Sequence, residues 1–100
     1  MNEKARIQRW RALADRFRCT QVFLDRGRLP ENYEPRHVIG LLEEALSSSE
    51  RVIFTFLCHV WNRYDYPFEL SEVVIFDRDH RQALADWITG KATGEPCQYF

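Results

Sequence analysis

The chain has 100 residues, of which 45% are hydrophobic and 29% are charged, and its net charge is -1. This length and composition indicate one domain and exclude an intrinsically disordered chain. The near-neutral charge excludes a protein that attracts nucleic acid through its overall field. Cys19, Cys58 and Cys97 lack the spacing of a zinc site, so we expect a reduced, cytoplasmic protein without metal or cofactor.

The charges are unevenly distributed along the chain. Residues 1–28 carry eight basic and three acidic side chains, a net of +5, whereas residues 29–100 carry six basic and twelve acidic ones, a net of -6. No stretch approaches the roughly 18 apolar residues of a membrane-spanning helix, and the first residues lack the apolar run of a signal peptide. We therefore expect no membrane contact, and the basic amino-terminal segment is a candidate surface for phosphates or for acidic groups.

Apolar spacing predicts one long basic amphipathic helix in residues 1–28, regular from Asn2 to Arg26. Its apolar residues recur at helical spacings on one stripe. The stripe consists of Ile7, Trp10, Leu13, Ala14, Phe17 and Leu24. Gly27 is a typical helix-ending residue, so the helix is expected to end there.

Two further helices are predicted, over residues 35–47 and 50–62. Pro35 suits the first turn of a helix, and the serines from Ser47 to Ser49 offer an N-cap for the second one. Residues 52–61 are apolar on every side, which places this segment at the centre of the core. Val, Ile, Phe and Thr in the segment also favour a strand, but its length favours a helix.

The last third contains an aromatic turn over 64–68 and a segment over 70–76 that could be a short strand or one or two helical turns. A final helix is predicted over 78–89, capped by Asp77 and ended by Gly90. Residues 91–100 are expected to form a loose tail whose Tyr99 and Phe100 could fold back onto the core. The fold is predicted to be a compact all-α bundle of four or five helices in a single domain. The alternative is an α+β fold that pairs 52–58 with 73–76 as two short strands.

The segment 54–77 resembles a family of small uncharacterised proteins encoded in proteobacterial genomes, often on mobile elements. The matching residues are Phe56, Leu57, Trp61, Asn62, Pro67, Phe68, Glu69, Leu70 and Asp77. The chain departs from the family pattern at Glu69 and Glu72, where Asp is usual, and at Phe76, where Leu is usual. The resemblance implies a helical domain and a mobile-element context, and it assigns no activity.

The aromatic turn is the first candidate binding surface. Its candidate protein-binding residues are Arg63, Tyr64, Asp65 and Tyr66. Tyrosine and arginine dominate the energetically important positions of protein interfaces. The alternative is that these rings close the end of the core, with Phe68 inside. Asn62 is expected to end the helix and to bond the turn that follows.

The basic helix is the second candidate surface, for nucleic acid or an acidic partner. Arg9 and Arg16 are seven residues apart, as are Arg11 and Arg18, so a continuous helix would place them in two rows beside the apolar stripe. Rows of arginine can contact phosphates, but they can equally pair with acids of the same molecule or cover apolar surface.

No pattern points to catalysis or to metal binding. Cys58 and His59 are adjacent, and adjacent residues on a helix point about 100° apart, so they do not form a nucleophile and base. The leading hypothesis is a non-catalytic protein-binding module, monomeric or homodimeric, that masks a host protein or complex; one form would be a phage or mobile-element inhibitor of a defence system, such as an anti-CRISPR protein. The alternatives are a nucleic-acid-binding regulator and, with least support, an enzyme.

Overall fold

The structure is a computed structural model that describes residues 2–100. Over this range the chain forms the helices α1 (Glu3–Ala14), α2 (Arg18–Asp25), α3 (Pro35–Leu41), α4 (Ser48–Trp61) and α5 (Arg78–Thr89), and a 3₁₀ helix at Leu70–Ile75. The predicted all-α bundle is confirmed. The alternative α+β fold is wrong, because residues 2–100 contain no strand and 52–58 lie within α4.

Helix α4 lies at the centre of the core, as predicted. Half of its residues are buried: Val52, Ile53, Phe54, Phe56, Leu57, Cys58 and Val60. The helix begins with a capping box, in which the Glu50 amide donates to Ser47 Oγ at 3.1 Å and the Ser47 amide donates to the Glu50 carboxylate at 2.8 Å. Rings from α2 and α5 pack edge-on against it, Phe23 on Phe54 at 4.8 Å and Trp87 on Phe56 at 5.3 Å between centroids.

The prediction of one helix over 2–26 is wrong, because the segment folds as α1 and α2 with a break between them. At the break, Phe17 is extended, with φ −88° and ψ 121°. Its ring is fully buried and contacts Phe56 and Phe76 at 5.9 and 6.3 Å. Burying such a ring contributes about 2–3 kcal/mol. The break costs few backbone hydrogen bonds, because the amides of Arg16 and Phe17 still donate to carbonyls three residues earlier.

Helix α3 is shorter than the predicted 35–47 and ends at Leu41. The Arg51 guanidinium donates to the carbonyls of Leu42 and Glu44 at 2.8 and 3.0 Å. The last carbonyls of a helix need hydrogen-bond donors. Here the Arg51 side chain supplies those donors, which the amides of a further helical turn would otherwise supply. The shortened α3 packs directly against α4.

Helix α5 has the predicted bounds and the predicted caps. The Asp77 carboxylate accepts from the His80 amide at 3.0 Å, and Gly90 ends the helix in the left-handed conformation, with φ 86°. A Cβ atom at Gly90 would also lie 2.9 Å from the backbone nitrogen of Pro96. Glycine is therefore required here both by the backbone conformation and by the close approach of the tail.

The expectation that residues 91–100 form a loose tail is wrong, whereas the folding back of Tyr99 and Phe100 is confirmed. The Trp87 indole N–H donates to the Gln98 carbonyl at 2.7 Å. The Phe100 amide donates to the Val60 carbonyl at 2.8 Å. These bonds fix the tail against α5 and against the carboxyl end of α4.

Candidate interaction groove at the carboxyl end of α4

An open groove of about 510 Å³ lies where α4 ends. Helix α1 and the tail form its sides, and the first residues of the aromatic turn form its rim. The groove is lined by Arg6, Val60, Trp61, Asn62, Arg63, Tyr64, Tyr99 and Phe100. We call this surface the tyrosine groove.

Asn62 shapes the rim of the tyrosine groove by ending α4, as predicted. Its side-chain amide donates to the Asp65 carboxylate at 2.9 Å, and its side-chain oxygen accepts from the Asp65 amide at 3.2 Å. An asparagine that bonds in this way mimics a backbone turn. The chain therefore reverses immediately after the helix, and the intervening side chains of Arg63 and Tyr64 are left exposed.

Arg63 and Tyr64 form the most exposed part of the groove. The Tyr64 side chain is 84% exposed. The Arg63 guanidinium lies 5.3 Å from the centre of the Tyr64 ring and 5.1 Å from the centre of the Tyr99 ring. Its hydrogen bond to the Tyr64 hydroxyl, although long at 3.4 Å, lowers the pKa of that phenol. One cation is thus placed between two tyrosine rings.

His59 on α4 holds the tail side of the groove. Its Nδ1 lies 2.8 Å from the Tyr66 carbonyl oxygen, and its Nε2 lies 2.9 Å from the Tyr99 hydroxyl. Because a carbonyl only accepts, Nδ1 carries the proton of the neutral ring, and Nε2 accepts from the Tyr99 hydroxyl. This pair of bonds fixes the position of the Tyr99 ring.

The four predicted protein-binding residues separate in the structure. Arg63 and Tyr64 line the groove, Asp65 is engaged in the turn, and Tyr66 is partly buried against the core. Sequence reasoning did not assign Arg6 to this site. Its guanidinium lies over the Trp61 ring, 4.6 Å from the centroid, and only the packing of α1 against the end of α4 brings these residues together.

The four arginines of the predicted basic rows also separate, because of the break at Phe17. Arg9 is exposed and forms no ion pair within residues 2–100. The other three bind groups of the same molecule: Arg11 donates to the Glu31 carbonyl at 2.9 Å, Arg16 pairs with Asp86 at 2.7 Å, and Arg18 pairs with Asp77 and Asp79. They form no continuous row.

The buried thiols and histidines occupy structural positions. Burial raises the pKa of Cys58 to about 12, and it does the same for Cys19. The Cys19 backbone amide donates to Nε2 of His80 at 3.1 Å, so this imidazole nitrogen is occupied by a backbone group. In the described part of the chain, no cluster of His, Cys, Asp and Glu could hold a metal ion.

The fold and the groove together define a small all-α protein with an exposed site of arginine and aromatic side chains. Comparison with protein family models, with curated proteins and with solved structures finds no match. Between residues 2 and 100, no helix has both the length and the apolar character needed to cross a membrane.

Proposed function

We propose that this protein is a small non-catalytic protein-binding module and that the tyrosine groove is its contact surface. The observation that carries the proposal is the 84% exposure of Tyr64 beside the cation of Arg63. A large ring that folding leaves in water contributes little to stability, but it can bury most of its apolar surface against a partner. Tyrosine and arginine are the residue types that most often contribute strongly to binding.

A capture experiment with matched variants tests this proposal. The immobilised protein is exposed to bacterial lysate at moderate salt, and captured proteins are identified by mass spectrometry. We expect a partner that Tyr64→Ala loses and that Ile88→Ala retains, since Ile88 is 48% exposed on α5 outside the groove. Equal capture by both variants, or capture of nothing by the original chain, contradicts the proposal.

We further propose that the protein is an inhibitor of host defence encoded by a phage or mobile element, such as an anti-CRISPR protein. The size of the chain and its resemblance to the mobile-element family support this inhibitor proposal. The test is phage plating on a host with active CRISPR interference. Expression of the chain should restore plaques, and Tyr64→Ala should not. Unchanged plating with the original chain contradicts the inhibitor proposal and leaves the protein-binding proposal unaffected.

A second candidate is a nucleic-acid-binding regulator that uses the basic helices. Arg9 supports it, because this side chain is exposed and forms no ion pair in the described chain. The intramolecular bonds of Arg11, Arg16 and Arg18 weigh against it. Phosphate contacts would make affinity fall steeply with salt. A mobility-shift titration of duplex DNA and RNA at several salt concentrations decides, and no binding at low salt eliminates this candidate.

A further inference from the structure

We infer that the tyrosine groove binds an acidic peptide segment of its partner, with the carboxylates paired to Arg6 and Arg63. This inference rests on the proposed protein-binding function and adds the chemistry of the bound segment. An apolar side chain of the same segment would occupy a smaller pocket beside Trp61.

Within residues 2–100, the arginines of the groove have no carboxylate partners. Neither Arg6 nor Arg63 forms an ion pair within residues 2–100, whereas Arg16, Arg18 and Arg28 each pair with an acid of the same molecule. Asp65, an acid next to the rim, is bound by Asn62. The groove therefore presents two positive charges that are not neutralised internally.

Both guanidiniums are positioned by aromatic rings. Arg6 lies 4.6 Å above the Trp61 ring, and Arg63 lies 5.1 Å from the Tyr99 ring. A guanidinium that lies over a ring uses its face for the ring and can still donate N–H groups to a carboxylate. Arg63 uses one of these groups for the long bond to the Tyr64 hydroxyl, which leaves its other N–H groups for a ligand. Because the rings already restrict these side chains, binding would cost less rotamer entropy than at an unrestrained arginine.

The helix dipole at this end of α4 does not attract an anion. A helix carboxyl end carries partial negative charge, and the Val60 carbonyl there is already occupied by the Phe100 amide. The arginine side chains therefore supply the positive charge that attracts a carboxylate. This makes the charge of Arg6 and Arg63 the decisive property.

A second pocket of about 150 Å³ shares Trp61 with the groove and sets the polarity of the bound segment. Ile7 and Ile39 belong to its apolar lining. Its charged lining consists of Glu3 and of Glu34, whose carboxylate pairs with Arg36 at 2.8 Å. Glu3, which forms no ion pair within residues 2–100, disfavours an acidic ligand residue there, whereas a large apolar residue could bury its side chain against Ile7 and Ile39. The expected segment therefore has carboxylates at the Arg63 end and an apolar residue at the Ile7 end.

The test is an NMR titration of the ¹⁵N-labelled full chain with a short synthetic peptide of Asp and Glu followed by Leu and Phe. We expect shift changes at the backbone amides of Arg6, Arg63 and Tyr64 and at the Trp61 indole. Arg6→Gln and Arg63→Gln should each weaken binding by about tenfold, the loss expected for one charged hydrogen-bonded contact. Arg26→Gln, which changes an exposed arginine outside the groove, should have no effect.

Two further probes give the outcomes that overturn the inference. One is the same peptide with Lys in place of Asp and Glu, and the other is an oligothymidylate. Absence of binding by the acidic peptide, equal binding of the lysine peptide, or shifts at the groove with the oligothymidylate alone would each contradict it. If lysate capture is lost in Tyr64→Ala but is unchanged in both arginine variants, the protein-binding function stands and the acidic-segment inference fails.

Discussion

His59 and Tyr99 join the central helix to the tail through a hydrogen bond of 2.9 Å from the tyrosine hydroxyl to the imidazole Nε2. The other ring nitrogen of His59 donates to the Tyr66 carbonyl at 2.8 Å. One side chain thus links the aromatic turn, α4 and the tail, which are the three segments around the end of the groove. The tyrosine groove depends on contacts between residues far apart in the sequence.

Removal of the Tyr99 hydroxyl should loosen the tail. Tyr99→Phe loses the bond to His59, and we expect a cost of about 1 kcal/mol in unfolding free energy. Exchange of the Phe100 amide, which bonds the Val60 carbonyl, should become about fivefold faster, as measured by hydrogen exchange and NMR. Tyr66→Phe is the matched control, because the Tyr66 hydroxyl forms no hydrogen bond in residues 2–100; equal acceleration in both variants would contradict the role of Tyr99.

Tyr33 should make the protein sensitive to alkali. Its ring is fully buried and its hydroxyl donates to the Asp15 carboxylate. Burial is the main reason why the pKa of Tyr33 is strongly raised, and the hydrogen bond to Asp15 raises it further. A raised pKa contributes stability that is fully present below the unfolded value of about 10 and is lost as pH rises above it.

Urea unfolding between pH 8 and 11 measures this effect. The original chain should lose stability above about pH 10, and Tyr33→Phe should lose less over the same range. At pH 7 the variant should be less stable by roughly 1 kcal/mol, because the hydrogen bond to Asp15 is lost. Parallel alkaline slopes in the two proteins would show that Tyr33 does not control the transition.

Asp77 should contribute to stability above about pH 4. The backbone amide of His80, and to a smaller extent the neighbouring His80 side chain and the Arg18 guanidinium, lower the pKa of Asp77. A lowered pKa contributes stability that is present above the unfolded value of about 3.9 and is lost as pH falls below it.

Two substitutions at Asp77 separate its cap from its charge. Asp77→Ala removes both and should cost about 1 kcal/mol at pH 7. Asp77→Asn keeps an N-capping side chain but no titrating carboxyl, so it should be less costly at pH 7 and should flatten the acid limb of an unfolding titration. If the acid limb of Asp77→Asn is the same as that of the original chain, this assignment is refuted. The control is Asp25→Asn, because Asp25 is exposed and forms no ion pair in the described chain.

Trp10 should be the most costly single position in α1. Its ring is fully buried, and its indole N–H donates to the Leu57 carbonyl of α4 at 2.9 Å. Trp10→Phe leaves both a cavity and a lost hydrogen bond, and we expect a loss of about 2–4 kcal/mol in urea unfolding. Trp61→Phe makes the same chemical change at a partly exposed ring and should cost less than half as much. Similar losses at both positions would contradict the importance of the bond to Leu57.

The elements that were predicted correctly depend on local chemistry. The cap at Asp77, the left-handed Gly90 and the largely apolar stretch 52–61 of α4 each depend on one or two turns of backbone. Composition around these residues therefore determines their conformation without knowledge of the rest of the fold. The break at Phe17 could not be predicted in this way, because its stabilising contacts are rings from α4 and from the segment before α5.

Part of the candidate site could be predicted from the sequence. Arg63 and Tyr64 follow a helix-ending asparagine, so their exposure can be anticipated. Arg6 and Tyr99 are separated by most of the chain and meet these residues only because α1 and the tail pack on the same end of α4. The predicted arginine rows failed as a common surface for the same reason, since distant carboxylates such as Asp86 bind Arg16.

The sequence by itself determined an all-helical domain with an apolar central helix, because burial pattern and capping are set by residues close together in the chain. Only the tertiary structure decided which arginines remain unpaired. That outcome depends on which acids folding brings within bonding distance, and pairings such as Arg18 with Asp77 join residues that no local pattern relates. The free charges left at Arg6 and Arg63 are the result on which the proposed recognition depends.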